Sequence, residues 1–184
     1  MATNNVLTEQ VTYSVCINSI NKISGLNNNC TFSIPWLQVL PTIAYEKFKV
    51  VYNFQSTGGY YKDSTSGGIT YTSAKLLCDF GSRSFTYDTS VYGPSTTMGV
   101  ITRDIQTTTS SSDTFSAFFY QNTSKTIGKP TNNQLNVQVI NNFNNGPLYN
   151  TDINGNVQAD MTSWILFLEF IPIPNESIRN PQIN

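Results

Sequence analysis

The sequence contains no histidine. Serine and cysteine hydrolases commonly use histidine as their general base, and most zinc sites include it as a ligand. The three cysteines are widely spaced and form no Cys-x-x-Cys pair, and no glycine-rich phosphate loop of the Walker type occurs. These absences predict a protein without enzymatic activity, without a metal site and without a cofactor.

Charge and long apolar runs are also scarce. Charged residues make up 11% of the 184-residue chain, and the formal net charge is −1. Such a surface offers no electrostatic footprint for a nucleic-acid backbone. The longest apolar run, residues 164–171, is too short to span a bilayer, and residues 1–5 lack the basic and apolar character of a signal peptide. We therefore expect no membrane span and no specific nucleic-acid partner.

The cysteines, Cys16, Cys30 and Cys78, are odd in number. Cys16 and Cys78 fall in phase with apolar positions of predicted strands. A free buried thiol behaves as a small hydrophobic side chain, and we expect this role rather than a disulfide. The pattern predicts folding in a reducing compartment.

Residues that favour β structure are abundant. The chain has 10 Tyr and 11 Phe together with many Thr, Ser, Val and Ile, whereas Ala, Leu, Glu and Lys are too sparse for long helices. The length fits one domain. The composition predicts an all-β fold.

Residues 132–171 organise the predicted fold. Leu135, Val137 and Val139 alternate with amides, which is typical of a half-buried strand. Residues 164–171 are apolar on both faces, except for one acid. A strand of this kind lies centrally in a sheet or is covered by another layer or subunit.

Six further strands precede this stretch. They are predicted at residues 11–17, 30–36, 47–54, 71–80, 98–101 and 115–120, and the stretch itself supplies the seventh and eighth. Several connections are far longer than hairpins, which disfavours an up-and-down barrel. The pattern predicts a two-sheet sandwich with Greek-key or jelly-roll connections over residues 11–172, with an N-terminal arm at 1–10 and a C-terminal tail at 173–184.

Two groups of residues are candidates for contacts with a partner. Tyr60 and Tyr61 lie in a predicted Gly/Ser/Thr loop at residues 55–70, and Tyr92 lies in a second long connection. They either anchor a partner or fold back over the sheet. The second group lies along one face of the last predicted strand and consists of Ile165, Phe167 and Glu169. Glu169 marks either a solvent face or an intersubunit ion pair.

Several segments resemble a known family. These are Leu76-Leu77-Cys78-Asp79-Phe80-Gly81, Met98-Gly99-Val100-Ile101, Pro130-Thr131-Asn132-Asn133-Gln134-Leu135-Asn136-Val137, Asp160-Met161-Thr162-Ser163-Trp164 and the strand that follows. In order and spacing they resemble the single jelly-roll capsid proteins of large icosahedral double-stranded DNA viruses, namely the penton and minor capsid proteins of nucleocytoplasmic large DNA viruses and of virophages. The resemblance covers residues 70–172 and implies an eight-stranded antiparallel single jelly-roll β-sandwich.

The resemblance also implies a role, and three interpretations compete. The first is a penton protein, made in the host cytoplasm, that forms pentamers at the vertices of the virion and contacts the major capsid protein. The second is a minor capsid protein that cements major-capsid trimers. The third is a carbohydrate- or receptor-binding β-sandwich module, in which Tyr60, Tyr61 and Tyr92 would stack on sugar.

Overall fold

The protein is built almost entirely of β-strands. The computed structural model describes residues 11–40, 45–56, 60–62, 73–81, 86–89, 93–104, 114–117, 124–141, 145–151, 158 and 160–174. Within these residues the strands are β1 (Tyr13–Asn18), β2 (Ser24–Leu26), β3 (Asn29–Ser33), β4 (Lys47–Ser56), β5 (Tyr60–Lys62), β6 (Ser73–Asp79), β7 (Thr86–Asp88), β8 (Gly93–Ser95), β9 (Thr97–Asp104), β10 (Thr114–Ala117), β11 (Lys125–Gly128), β12 (Gln134–Asn141), β13 (Tyr149–Thr151) and β14 (Trp164–Ile173). One short helix, α1 (Trp36–Val39), follows β3.

The main strands form two antiparallel sheets of four and five strands. The first has the order β1-β14-β4-β11 and the second the order β9-β6-β12-β3-β2. Strand β10 joins them, because it pairs with the end of β4 and also with β9. Two small additional pairs, β5–β13 and β7–β8, lie outside these sheets.

Aromatic side chains from both sheets meet in the core between them. Trp164 on β14 packs edge-on against Phe32 on β3, with ring centroids 5.7 Å apart, and Phe170 packs against Phe80, just beyond β6, at 6.0 Å. The inward side chains of β14 from Trp164 to Phe170 are fully buried. This confirms the predicted all-β sandwich.

Each of the eight predicted strands overlaps a strand of the structure, but several boundaries differ, and two of the differences involve proline. The strand expected at 30–36 ends at Ser33, because Pro35 interrupts it, and a helical turn carries Trp36 into the core. The last strand was expected to stop before Pro172, yet it pairs with β4 through Ile173. Beyond Phe170 it has a partner on one side only, an edge position where proline is tolerated.

One carboxylate fastens the turn between β2 and β3 to the segment that leads into β14. Asp160 accepts hydrogen bonds from the backbone N–H groups of Asn27 at 2.7 Å, Asn28 at 3.1 Å and Met161 at 2.8 Å. The Trp164 indole N–H donates to the Asn27 carbonyl at 2.6 Å. These contacts join parts of the chain more than a hundred residues apart.

We expect Asp160→Ala to lower the free energy of unfolding by about 2–4 kcal/mol, because half-buried backbone N–H groups lose a charged acceptor. Urea denaturation measures this. Asp79→Ala is the matched control, since the Asp79 carboxylate accepts one exposed hydrogen bond, from the Gly81 N–H at 2.8 Å, and its loss costs about 1 kcal/mol or less. Equal losses in the two variants would contradict the role given to Asp160.

Candidate interaction surfaces

The outward face of β14 presents large apolar side chains on a central strand. Ile165 is 41% exposed and Phe167 is 42% exposed, whereas the alternate residues of the strand point into the core. Strand geometry explains this division, because successive side chains point to opposite faces of a sheet. The prediction that this strand is apolar on both faces is confirmed, and its outer face is uncovered within the described residues.

The register surrounds these two side chains with polar, uncharged neighbours. Phe167 lies between Cys16 on β1 and Asn53 on β4. Ile165 lies between Asn18 and Gln55 in the same way. We call Ile165, Phe167 and Cys16 the β14 outer patch. An apolar centre with an amide rim has the composition of a protein interface.

Glu169 continues the same face of β14, where it lies between Ser14 on β1 and Val51 on β4. It is half-buried. The salt bridge found among the described residues, Lys75–Asp88, does not involve it. Both interpretations of Glu169, a solvent-facing acid and an intersubunit ion pair, are compatible with this position.

The tyrosines are placed differently from the prediction. Residues 55–70 were expected to form one loop, but Gln55 and Ser56 belong to β4, and Tyr60 and Tyr61 lie in β5. The reason is a partner strand: Tyr60 pairs with Thr151 and Tyr61 with Asn150, and tyrosine favours strands. The structure describes the backbone of these two residues only. Tyr92 lies outside the described residues.

A hollow of about 510 Å³ on the five-stranded sheet was missed by the sequence analysis. Amide side chains and a few apolar groups line it: Leu26, Asn28, Asn29, Gln138, Ile140 and Asn145. Asn29 and Gln138 are directly paired across β3 and β12. Amides are so common in this sequence that no pattern could have identified the hollow.

The cysteines are free, but they differ in exposure. Burial raises the pKa of Cys30 to about 12 and raises the pKa of Cys78 further above its ordinary value. Cys16 is exposed, so the expectation that it is buried was wrong. In β1 the odd-numbered residues face the core, and Cys16 shares the outward face with Ser14.

Lys125 on β11 is a partly buried charged residue. Its ammonium group donates a hydrogen bond to the Thr97 carbonyl at 2.9 Å, which links β11 to β9 across the sandwich. Burial lowers the pKa of Lys125, and the nearby Cys78 thiol opposes this effect. Burial therefore disfavours protonation of the Lys125 amine and ionisation of the Cys78 thiol.

Comparisons of the chain with protein-family models, with curated proteins and with solved structures find no match in any of the three. Among the described residues, no group of three or more Cys, Asp or Glu side chains is positioned to hold a metal ion. In the same part of the chain, no helix has the length and apolar character needed to cross a membrane.

In the folded, monomeric protein at about pH 8, we expect Cys16 alone to react rapidly with a thiol reagent, because burial keeps Cys30 and Cys78 protonated and inaccessible. Mass spectrometry after timed alkylation measures the reaction at each cysteine. All three should react after denaturation in urea. Rapid native labelling of Cys78 would contradict the described core.

We expect Lys125→Met to be more stable than the natural chain at neutral pH, because it removes the cost of burying a charge. The Thr97 carbonyl still accepts a hydrogen bond from the Thr86 hydroxyl at 3.2 Å. Folding lowers the pKa of Lys125 from 10.5. Between the two pKa values the unfolded natural chain binds more protons than the folded one, so the stability of the natural chain rises with pH in this range. The advantage of the variant should therefore shrink as pH rises toward 10.5.

Urea denaturation of both proteins at about pH 7 and about pH 10 measures this difference. The Lys125 charge lowers the pKa of Cys78, so the same comparison in a Cys78→Ala background separates the lysine from the thiol. A variant that is less stable by the same amount at both pH values would contradict the desolvation argument.

Proposed function

We propose that this chain is a single jelly-roll subunit of the capsid of a large icosahedral double-stranded DNA virus, and that it forms pentamers at the vertices. The strand order is the observation that carries the proposal. In a jelly roll, eight strands fold as a long antiparallel ribbon, so that strands one and eight, two and seven, three and six, and four and five are partners.

The pairing of the main strands agrees with this scheme. In chain order they are β1, β3, β4, β6, β9, β11, β12 and β14. The first pairs with the eighth, the second with the seventh, the third with the sixth and the fourth with the fifth. The sixth strand is divided: β11 pairs with the beginning of β4, and β10 pairs with its end.

The small β5–β13 pair supports the same topology. Strand β5 belongs to the connection between the third and fourth main strands, and β13 to the connection between the seventh and eighth. In a rolled ribbon both connections emerge at the same end of the sandwich, so an antiparallel pairing between them is expected. That end carries the backbone of Tyr60 and Tyr61.

The β14 outer patch supports assembly. A ring of identical subunits uses one heterologous interface, repeated around the axis. The patch offers an apolar centre on a central strand, and the side chains paired with it on β1 and β4 are uncharged, while Glu169 continues the same face. We assign it to the contact with the neighbouring subunit. In this proposal the protein resides in the virion, meets the major capsid protein and has no enzymatic activity.

A carbohydrate- or receptor-binding module is the second candidate. The observation that favours it is the amide-lined hollow beside β3 and β12, because amide groups can donate and accept hydrogen bonds to sugar hydroxyls. A cement protein between major-capsid trimers shares the fold of the first proposal but needs no ring of its own copies. The oligomeric state therefore separates these alternatives.

We expect the double substitution Ile165→Thr with Phe167→Thr to dissociate the ring, because it removes the apolar centre while it keeps β-forming residues on the strand. Sedimentation velocity measures the change as a shift from the assembled species to the monomer. The expected loss of affinity is at least about 100-fold, from two truncated anchors worth roughly 1.5–3 kcal/mol each.

Val100→Thr is the matched control, since Val100 is 50% exposed on the other sheet, away from the patch. It should sediment like the natural chain, and thermal unfolding should show that both variants fold. A natural chain that is monomeric at every concentration would contradict self-assembly through this face. A ring that persists after the double substitution would show that the interface lies on another surface.

A further inference from the structure

Three side chains with complementary chemistry meet on the outer face of the five-stranded sheet. The Lys75 Nζ lies 2.8 Å from Oδ2 of Asp88 and 3.0 Å from Oδ1 of Asn145. Lys75 lies within β6, Asp88 ends β7, and Asn145 follows β12. An amine, a carboxylate and a carboxamide are thus held together by three separate parts of the chain.

The amine is largely shielded from water. The side chains of Lys75 and Asp88 are each only 12% exposed, although Lys75 points away from the core. Its directly paired neighbours are Ile140 on β12 and Val100 on β9, both apolar. The contact places the Asp88 carboxylate where it can accept a proton from the Lys75 amine, and the apolar neighbours limit the access of water to both groups.

The carboxamide is also held in place. The Asn141 N–H and the Asn141 side-chain amide both donate to the carbonyl of Gly146, at 3.0 and 3.2 Å, and Pro147 bridges to Ile140. Asn145 has a φ of 56°, a left-handed conformation that asparagine tolerates better than most residues. Its side chain therefore approaches Lys75 from a fixed segment.

We propose that this cluster is a self-modification site, at which Lys75 and Asn145 become joined by an isopeptide bond. Transamidation requires that the amine and the carboxamide lie close together and that a proton acceptor contacts the amine. The proposal is independent of the capsid function, because it rests on this cluster alone.

The reaction balances within the three residues. The Asp88 carboxylate takes one proton from the Lys75 ammonium, and the neutral amine attacks Cγ of Asn145 while the carbonyl electron pair moves to Oδ1. A second proton passes from the attacking nitrogen to Nδ2. The carbonyl then re-forms, the Cγ–Nδ2 bond breaks, and ammonia leaves and takes the proton held by Asp88, so that ammonium is released and the carboxylate is restored. No oxidant, reductant or cofactor is needed.

The bond would tie a central strand of one sheet to the segment after β12, across 70 residues of sequence. Such a link restricts the conformations of the unfolded chain as a disulfide does, but reductants do not cleave it. The three cysteines are free thiols, so no disulfide among them supplies such a link.

Intact-mass measurement of the purified full chain, followed by tryptic peptide mapping, tests the proposal. We expect a mass below the sequence value by one ammonia, no cleavage after Lys75, and a branched peptide that joins Lys75 to Asn145. Asp88→Asn keeps the shape of the side chain but removes the proton acceptor, so it should restore the full mass. Lys75→Arg should do the same, since it keeps the positive charge beside Asp88 but not the amine.

The chain supplies an internal control. Lys22 Nζ donates to Oδ1 of Asn27 at 2.8 Å, a similar lysine–asparagine contact, but its other partner is the Ser19 carbonyl rather than a carboxylate. Trypsin should cleave after Lys22 normally. The unmodified mass in the natural chain, with normal cleavage after Lys75, would overturn the proposal. Loss of ammonia without the branched peptide would overturn it too, because a succinimide at Asn145-Gly146 has the same mass.

Discussion

The antiparallel pairing of β14 with β4 is the constraint on which the rest of the structure depends. It runs from Trp164 opposite Ser56 to Ile173 opposite Lys47. Because side chains alternate between faces, this register sends Trp164 into the core and Phe167 to the outside at the same time. A slip of one residue would exchange the two faces and expose the core. The candidate interface is therefore a direct consequence of how the core is built.

Contacts distant in sequence hold that register. The Asp160 carboxylate and the Asn27 carbonyl anchor the beginning of β14 to the β2–β3 turn, and the Ser19 hydroxyl accepts a hydrogen bond from the Trp164 backbone N–H at 2.9 Å. At the other end of the strand, Phe170 packs between Trp36 and Phe80. Polar contacts thus fix one end of β14, and aromatic packing fixes the other.

The sequence predicted the sandwich because its long strands alternate cleanly. The patterns in β4, β12 and β14 reflect burial of one face. This alternation can be recognised within a single strand, without knowing which strand pairs with it. The outward position of Ile165 and Phe167 followed from the same alternation. Cys16 was placed wrongly because it was counted with the apolar residues, although it alternates with them. The amide-lined hollow, the Asp160 contacts and the Lys75 cluster depend on which distant segments meet, which periodicity does not encode.

In the proposed assembly, identical subunits contact one another through the outward face of β14. Electron microscopy of the purified natural chain tests it most directly, with class averages of the particles and a reconstruction that resolves the strands. We expect rings with fivefold symmetry in which Ile165 and Phe167 are covered by the neighbouring subunit. Trimers, or particles in which this face is open to solvent, would contradict it.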